Sequence, residues 1–100
     1  MLETTIVSKI KARAKALGFW VLKTHGGPFQ MQGLPDLLCI KNGIAVWLEV
    51  KRPGGRATLL QVKRKEELER VAGCRSEIVF SVEEAESVLR GSELNKSGAA

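Results

Sequence analysis

The sequence has few of the side chains that cross-link a chain or bind zinc, with two cysteines and one histidine in 100 residues. Cys39 and Cys74 form no CxxC pair and belong to no Cys/His cluster. Structural zinc sites need such a grouping, so the pattern does not predict one. We expect both cysteines to be buried free thiols in a reducing compartment.

Long apolar runs and targeting signals are also missing. The longest apolar runs fall well short of the roughly 20 residues that a membrane-spanning helix needs. Residues 1–18 have the pattern of an amphipathic helix and not of a signal peptide. We therefore expect a cytoplasmic protein that does not bind a membrane.

The chain does have enough apolar material for one small domain. Its composition is 44% hydrophobic and 27% charged, as in soluble globular proteins. The formal net charge is +5 and the pI is about 9.6. A basic balance suits a polyanionic partner, but many basic proteins bind no nucleic acid, so the positions of the charges have to decide.

Apolar periodicity and turn residues predict seven elements in the order αβββαβα. The predicted helices and strands are residues 2–17 (α), 19–24 (β), 35–41 (β), 44–50 (β), 58–73 (α), 75–81 (β) and 82–90 (α). No repeat or domain boundary interrupts this order. We expect one domain over residues 1–90 and a flexible tail over residues 91–100, which have little to bury.

The two central strands form a hairpin with charges at its open end, in residues 33–51, GLPDLLCIKNGIAVWLEVK. The NG pair at 42–43 is the strongest short-range signal for a two-residue type I′ turn. That register places Asp36 directly opposite Glu49, with Cβ atoms about 4.5–5.5 Å apart. Lys51 lies two residues past Glu49 and therefore shares its face.

Two interpretations account for this acidic pair. In the first, the charges form a partly exposed structural network in which Lys51 balances Asp36 and Glu49. In the second, a divalent cation removes the repulsion, because hard ions such as Mg²⁺ take carboxylate oxygens as ligands. The hairpin alone leaves both interpretations open.

Two further polar residues lie beside apolar stripes. Glu3 is at the edge of the apolar face of the first helix, where a first-turn glutamate also favours the helix dipole. Gln61 is the last residue of a T-x-x-Q capping box that begins at Thr58. A site role for Gln61 and the capping role should exclude each other in one side-chain orientation. Spacing alone favours the structural role for both residues.

Taken together, these residues resemble the PD-(D/E)xK nuclease superfamily. The match consists of Pro35-Asp36 followed by Glu49-Val50-Lys51. The setting is similar to the VRR-Nuc family, in the stand-alone form seen in phages and bacteria. Its features are GLPDLL, a hairpin, LEVK, a glycine-rich loop, a helix-opening glutamine and an N-terminal helix with an early glutamate. The resemblance implies an α/β fold with a restriction-endonuclease-like core, a mixed central sheet flanked by helices. It also implies a bacterial protein, or a phage protein in the host cytoplasm.

The resemblance also implies roles for individual residues. Asp36, Glu49 and the Val50 carbonyl would bind Mg²⁺, for which Mn²⁺ could substitute. Lys51 would orient or activate the attacking water, or stabilise developing charge. Glu3 would support the metal directly or through water, and Gln61 would hold the site near Lys51. Family members often carry serine before this glutamine, where the present chain has Ala57-Thr58, so a serine-specific role is not carried over.

The implied activity is hydrolysis of DNA phosphodiester bonds by a structure-specific endonuclease. Stand-alone members of the family are associated with four-way junctions, which need two symmetric cuts and therefore favour a homodimer. Flap or linear-duplex cleavage, a non-catalytic DNA-binding module and a plain structural domain are the alternatives.

Basic residues near the hairpin mouth are the expected DNA contacts. They are Arg52, Arg56, Lys23, His25 and Lys63. Arg64 and Lys65 follow Lys63, and a second group on the first helix is expected to be a solvated face: Lys9, Lys11, Arg13 and Lys15. Trp20 and Trp47 are expected in the core. No base-reading element is evident, so we expect recognition by backbone and shape.

Overall fold

The computed structural model describes residues 2–26 and 31–98, with residues 93–98 described as backbone only. The predicted order αβββαβα is confirmed. The elements are α1 (Glu3–Ala16), β1 (Trp20–Lys23), β2 (Leu37–Lys41), β3 (Ile44–Val50), α2 (Leu59–Arg70), β4 (Arg75–Val79) and α3 (Val82–Gly98). Within these ranges, every helix is too short or too polar to cross a membrane.

The four strands form one mixed sheet in the order β1-β2-β3-β4. The pairs β1–β2 and β2–β3 are antiparallel, and β3–β4 is parallel. Helices α1 and α3 pack against each other and against the sheet, and α2 packs against β4. The predicted α/β fold, a mixed sheet flanked by helices, is therefore confirmed.

The core lies between the sheet and the helix pair α1–α3. Alternate residues of the central strands, among them Leu48 and Val50, are fully buried there. Ile10 of α1 and Leu89 of α3 cover them from the helix layer. Each such side chain contributes about 1.5–3 kcal/mol by leaving water. This layer is the rigid support on which the hairpin is held.

The hairpin turn has the predicted type and register. Asn42 and Gly43 have φ values of 52° and 80°, and two positive φ values define a type I′ turn. The pairs run from Lys41–Ile44 at the turn to Leu37–Leu48 at the open end. One step further along this register, Asp36 is opposite Glu49.

The opposite face of the sheet is only partly covered, because α2 packs against β4 and leaves the β1 side open. Trp20 is 58% exposed and Leu22 is 45% exposed on this face. The prediction that Trp20 is a core residue is therefore wrong, while Trp47, further from the edge, is half-buried. The cause is tertiary: β1 is an edge strand, and local sequence does not reveal which part of a sheet a helix covers.

Helix α3 is longer than expected, reaching Gly98 where the pattern predicted an end at residue 90. Gly91, the first residue past the predicted end, allows close packing. A Cβ built there would lie 3.3 Å from the Arg75 guanidinium. The Arg75 guanidinium also donates to the Val88 carbonyl at 3.5 Å. The domain bounds and the flexibility of the tail stay predictions.

Candidate active site

Asp36 stands at the point where β2 separates from β3. Pro35 has no backbone N–H, so it cannot extend the ladder past the Leu37–Leu48 pair. The side chain of Asp36 continues the contact with β3 instead, because its Oδ2 accepts a hydrogen bond of 2.8 Å from the Val50 N–H. The carboxylate is thereby anchored beside the end of β3, where Glu49 lies.

Glu49 is a buried carboxylate with one satisfied and one unsatisfied oxygen. Its residue is only 5% exposed. Oε2 accepts a 3.2 Å hydrogen bond from Gln61 Nε2 and lies 3.4 Å from Lys51 Nζ. Oε1 is buried and has no hydrogen-bond partner among the described residues. A buried oxygen without a partner is costly, and it calls for a ligand that the protein does not itself supply.

The same surroundings raise the pKa of Glu49 to about 8. Burial is the largest cause, followed by the negative charge of Asp36, whose nearby carboxylate also favours the protonated form of Glu49. Lys51 opposes these effects but does not cancel them. Asp36, Glu49 and Lys51 therefore form one cluster, as the register predicted, and the two facing carboxylates repel.

Gln61 completes the capping box and contacts Glu49 with the same side-chain amide. Its Oε1 accepts a 2.9 Å hydrogen bond from the Thr58 N–H, and Thr58 Oγ1 accepts from the Gln61 N–H at 3.1 Å. The capping box is therefore complete, while Nε2 reaches Glu49. One side-chain orientation can do both, because the acceptor and the donor lie on different atoms of one amide. Contact of Gln61 with a metal-bound water or a substrate stays a prediction.

The donor set fits a hard divalent cation. Such ions bind one or two carboxylates and complete their shell with carbonyls, waters or phosphate oxygens. Asp36 and Glu49 supply the carboxylates, and the unpaired Glu49 Oε1 is the atom that a cation would satisfy. Among the described side chains, no group of three or more acidic, histidine or cysteine residues could hold a metal. Glu3 is half-exposed in the first turn of α1, and its metal role and that of the Val50 carbonyl stay predictions.

Some of the expected DNA contacts border the carboxylates. Lys23, His25 and Asp36 line one polar cavity of about 220 Å³. Arg52 and Arg56 are exposed in the loop that follows Lys51. Lys23 and His25 therefore lie beside Asp36, and Arg52 and Arg56 follow Lys51 along the chain.

On the helices, the basic residues divide into paired and exposed ones. Lys63 is exposed on α2, whereas Arg64 and Lys65 form ion pairs with Glu67 and Glu69. On α1, Arg13 forms an ion pair with Glu86 of α3, so its charge helps to hold α1 against α3.

Thr24 is a neighbour of the site that sequence reasoning missed. Its hydroxyl lies 2.8 Å from the Pro35 carbonyl oxygen and 3.3 Å from that of Asp36. Its N–H donates to the Asp36 carbonyl at 2.9 Å. The contact of Thr24 with Asp36 follows from the β1–β2 register. No tight turn specifies that register, and local sequence patterns do not reveal it.

A cavity of about 640 Å³ lies elsewhere, along α1 and the start of α3. Glu83 is the single acidic residue in its lining. It therefore lacks the paired carboxylates that mark the hairpin site.

Comparison with known proteins agrees with this geometry. No protein-family model matches the chain, and no curated protein matches it. It is similar to a solved structure described as a VRR_NUC domain, with a TM-score of 0.73 and 26% sequence identity. The match covers 88% of this chain and 94% of that chain. The shared fold spans nearly the whole of both chains, and the aspartate, Glu-x-Lys and glutamine that carried the resemblance lie in one cluster. This likeness supports assignment of the chain to the VRR-Nuc family, a family of nuclease-type domains.

Proposed function

We propose that the site is the catalytic centre of a divalent-cation-dependent DNA endonuclease. The observation that carries the proposal is the buried, unpaired Oε1 of Glu49 beside Asp36 and Lys51. A structural ion network would satisfy its members internally, whereas this one leaves a carboxylate oxygen open.

Asp36 and Glu49 would hold Mg²⁺ or Mn²⁺, with the Val50 carbonyl as a further ligand and Glu3 supporting the site directly or through water. When bound, the cation supplies Lewis-acid stabilisation of the phosphate and a lowered pKa for a water molecule. Glu49 must be ionised to bind it, so its raised pKa couples binding to proton release. Gln61 and Lys51 both contact Oε2 and leave Oε1 available.

Lys51 would act on the reacting groups. Its ammonium lies 3.4 Å from Glu49 Oε2, and its side chain is 12% exposed. The low exposure strengthens its electrostatic effect compared with a surface lysine. Lys51 can orient or activate the attacking water, or stabilise the charge that develops on the phosphate in the transition state.

The approach to the site suits a polyanion. The exposed Arg52 and Arg56 lie in the loop between Lys51 and α2, and arginine binds phosphate through a fork of donors. Helix α2 begins beside the site with no acidic residue in its first turn, so the positive end of its dipole is not neutralised there. These groups would contact phosphates and would not distinguish one DNA sequence from another.

For the substrate, we propose branched DNA, with a four-way junction as the preferred form and a homodimer as the active species. A junction is resolved by two symmetric cuts, and a chain with one site needs a second copy to make both. The open sheet face supports this assembly. Its apolar side chains Trp20, Leu22, Leu38 and Ile40 carry no charge that would bind a phosphate.

A panel of labelled DNAs tests this proposal. Four-way junction, flap, linear duplex and single strand are incubated with the protein and Mg²⁺, Mn²⁺ or EDTA. The proposal expects metal-dependent cleavage with the junction cut fastest. Preferred cleavage of flap or duplex would retain the nuclease and overturn the junction assignment. Salt-dependent binding without cleavage of any DNA would identify a binding module instead.

A further inference from the structure

We propose that Thr24 is a positioning residue that sets the placement of the Asp36 carboxylate. This inference rests on the proposed function for its consequence in metal binding. Its structural part concerns only Thr24, Asp36 and Val50, and can be measured without metal or DNA.

Thr24 directly follows β1 in the sheet. The β1–β2 pairing ends at Lys23–Leu37, and the next pair along this register is Thr24–Asp36. The Thr24 N–H donates to the Asp36 carbonyl at 2.9 Å, so the backbone contact continues one residue beyond the strands. Asp36 thus lies between Thr24 on one side and Glu49 on the other.

The Thr24 hydroxyl group contacts the segment that precedes β2. The segment before β2 contains Pro35, which is buried and offers a carbonyl but no N–H. Thr24 Oγ1 lies 2.8 Å from this carbonyl oxygen and 3.3 Å from that of Asp36. The single hydroxyl proton therefore serves the Pro35 carbonyl best. Without it, the buried carbonyl would have to find another donor, and the Pro35–Asp36 peptide would shift.

The Pro35–Asp36 peptide sets the position of the Asp36 carboxylate. Asp36 has a short side chain, so a shift of its backbone moves the carboxylate with little rotamer freedom to compensate. At present Oδ2 accepts the Val50 N–H at 2.8 Å. The Val50 amide therefore reports directly whether Asp36 is in place, and Thr24 acts through Asp36 without touching a substrate.

Three substitutions separate positioning from general stability. Thr24→Val keeps the shape and the backbone N–H but removes the hydroxyl, and Thr24→Ser keeps the hydroxyl. Leu89→Val weakens the core at α3, where Leu89 is fully buried. Thr24→Ala serves as a second variant without the hydroxyl should Thr24→Val fail to fold. Each full-length protein is compared with wild type by thermal melting.

Two readouts are used: amide hydrogen exchange at Val50 in metal-free protein, and the Mn²⁺ dissociation constant. Thr24→Val is expected to raise the local exchange rate at Val50 and to weaken Mn²⁺ binding by about 10-fold or more, as for other residues that orient metal ligands. Thr24→Ser should restore both, and Leu89→Val should affect neither selectively.

Unchanged Val50 exchange in Thr24→Val and Thr24→Ala would overturn the inference, whether or not the protein is a nuclease. An equal effect in Leu89→Val would reduce Thr24 to a general stabiliser and would also overturn it. Wild-type protein that shows the expected exchange but binds no Mn²⁺ would contradict the proposed function and leave the Thr24–Asp36–Val50 geometry confirmed.

Discussion

Gln61 of α2 donates a hydrogen bond of 3.2 Å from Nε2 to Oε2 of Glu49 on β3. The other end of the same amide accepts the Thr58 N–H at 2.9 Å. The start of α2 and the buried carboxylate are therefore joined through one side chain. The cap fixes the rotamer of Gln61, and the rotamer fixes the donor that Glu49 receives.

The two bonds of Gln61 can be separated by mutation. Gln61→Glu keeps an acceptor for the capping box but loses the donor to Glu49 and adds a third negative charge. We expect a loss of cleavage of about 10-fold or more with little loss of helix stability. Thr58→Ala removes the cap acceptor and should lower the free energy of unfolding by about 1 kcal/mol, while most of the activity is retained.

Cleavage rates and thermal unfolding of both variants are the measurements. Full activity in Gln61→Glu would show that the contact with Glu49 has no role in the site. A comparable loss of activity in Thr58→Ala would instead assign the effect to the helix start.

The raised pKa of Glu49 predicts how stability depends on pH in the absence of metal. Between the ordinary value of 4.5 and about 8, the folded state keeps a proton that the unfolded state has lost. This contribution is fully present below pH 4.5 and is lost as the pH rises through about 8. Glu49→Gln has no such proton. The melting temperature of Glu49→Gln relative to that of wild type should therefore increase as the pH rises from 5 to 9.

Thermal melts in EDTA across this range test the prediction, with Glu66→Gln, at an exposed position of α2, as the matched control. Added Mg²⁺ should stabilise wild type and not Glu49→Gln. A gap between wild type and Glu49→Gln that stays constant with pH would contradict the raised pKa.

The open sheet face predicts where the dimer forms. Trp20→Lys places a charge among apolar side chains that a second copy would bury, so the dimer should dissociate at micromolar concentration. Val71→Lys is the control, because Val71 is 86% exposed just after α2 and should tolerate the change. Sedimentation velocity with and without junction DNA measures both. A monomeric wild type under both conditions would exclude the homodimer.

Arg56 is predicted to contact a DNA phosphate. Arg56→Gln should weaken binding similarly for all sequences and lower the slope of log affinity against log salt by about 1. Lys15→Gln is the control, since α1 ends at the hairpin-turn end of the sheet, where Lys41 Nζ binds the Leu17 carbonyl. Titrations in EDTA avoid cleavage. Equal slopes for wild type and Arg56→Gln would show that Arg56 does not contact a DNA phosphate.

The parts of the site that local chemistry determines could be predicted from the sequence. The NG pair at 42–43 sets the turn, the turn sets the register, and the register places Asp36 beside Glu49. The order of helices and strands could be predicted from apolar periodicity and turn residues. The capping box at Thr58 was also local, and it formed as predicted.

The remaining features depend on packing between distant segments. The exposure of Trp20 depends on which strands α2 covers, and Gly91, just past the predicted end of α3, packs against Arg75 of β4. Thr24 meets Asp36 through a register that no short turn encodes. The two contacts of Gln61 require α2 to start at one particular distance from Glu49.

The proposed function requires Asp36, Glu49 and Lys51 to cleave DNA with the help of a divalent cation. Its most direct test is the single-turnover rate of cleavage of a four-way junction by wild type, Lys51→Met and the control Lys15→Met, each with Mg²⁺ and with EDTA. We predict cleavage by wild type and Lys15→Met in Mg²⁺ only, and a loss of about 100-fold or more in Lys51→Met. Cleavage that persists in EDTA, or that survives Lys51→Met unchanged, would contradict the account.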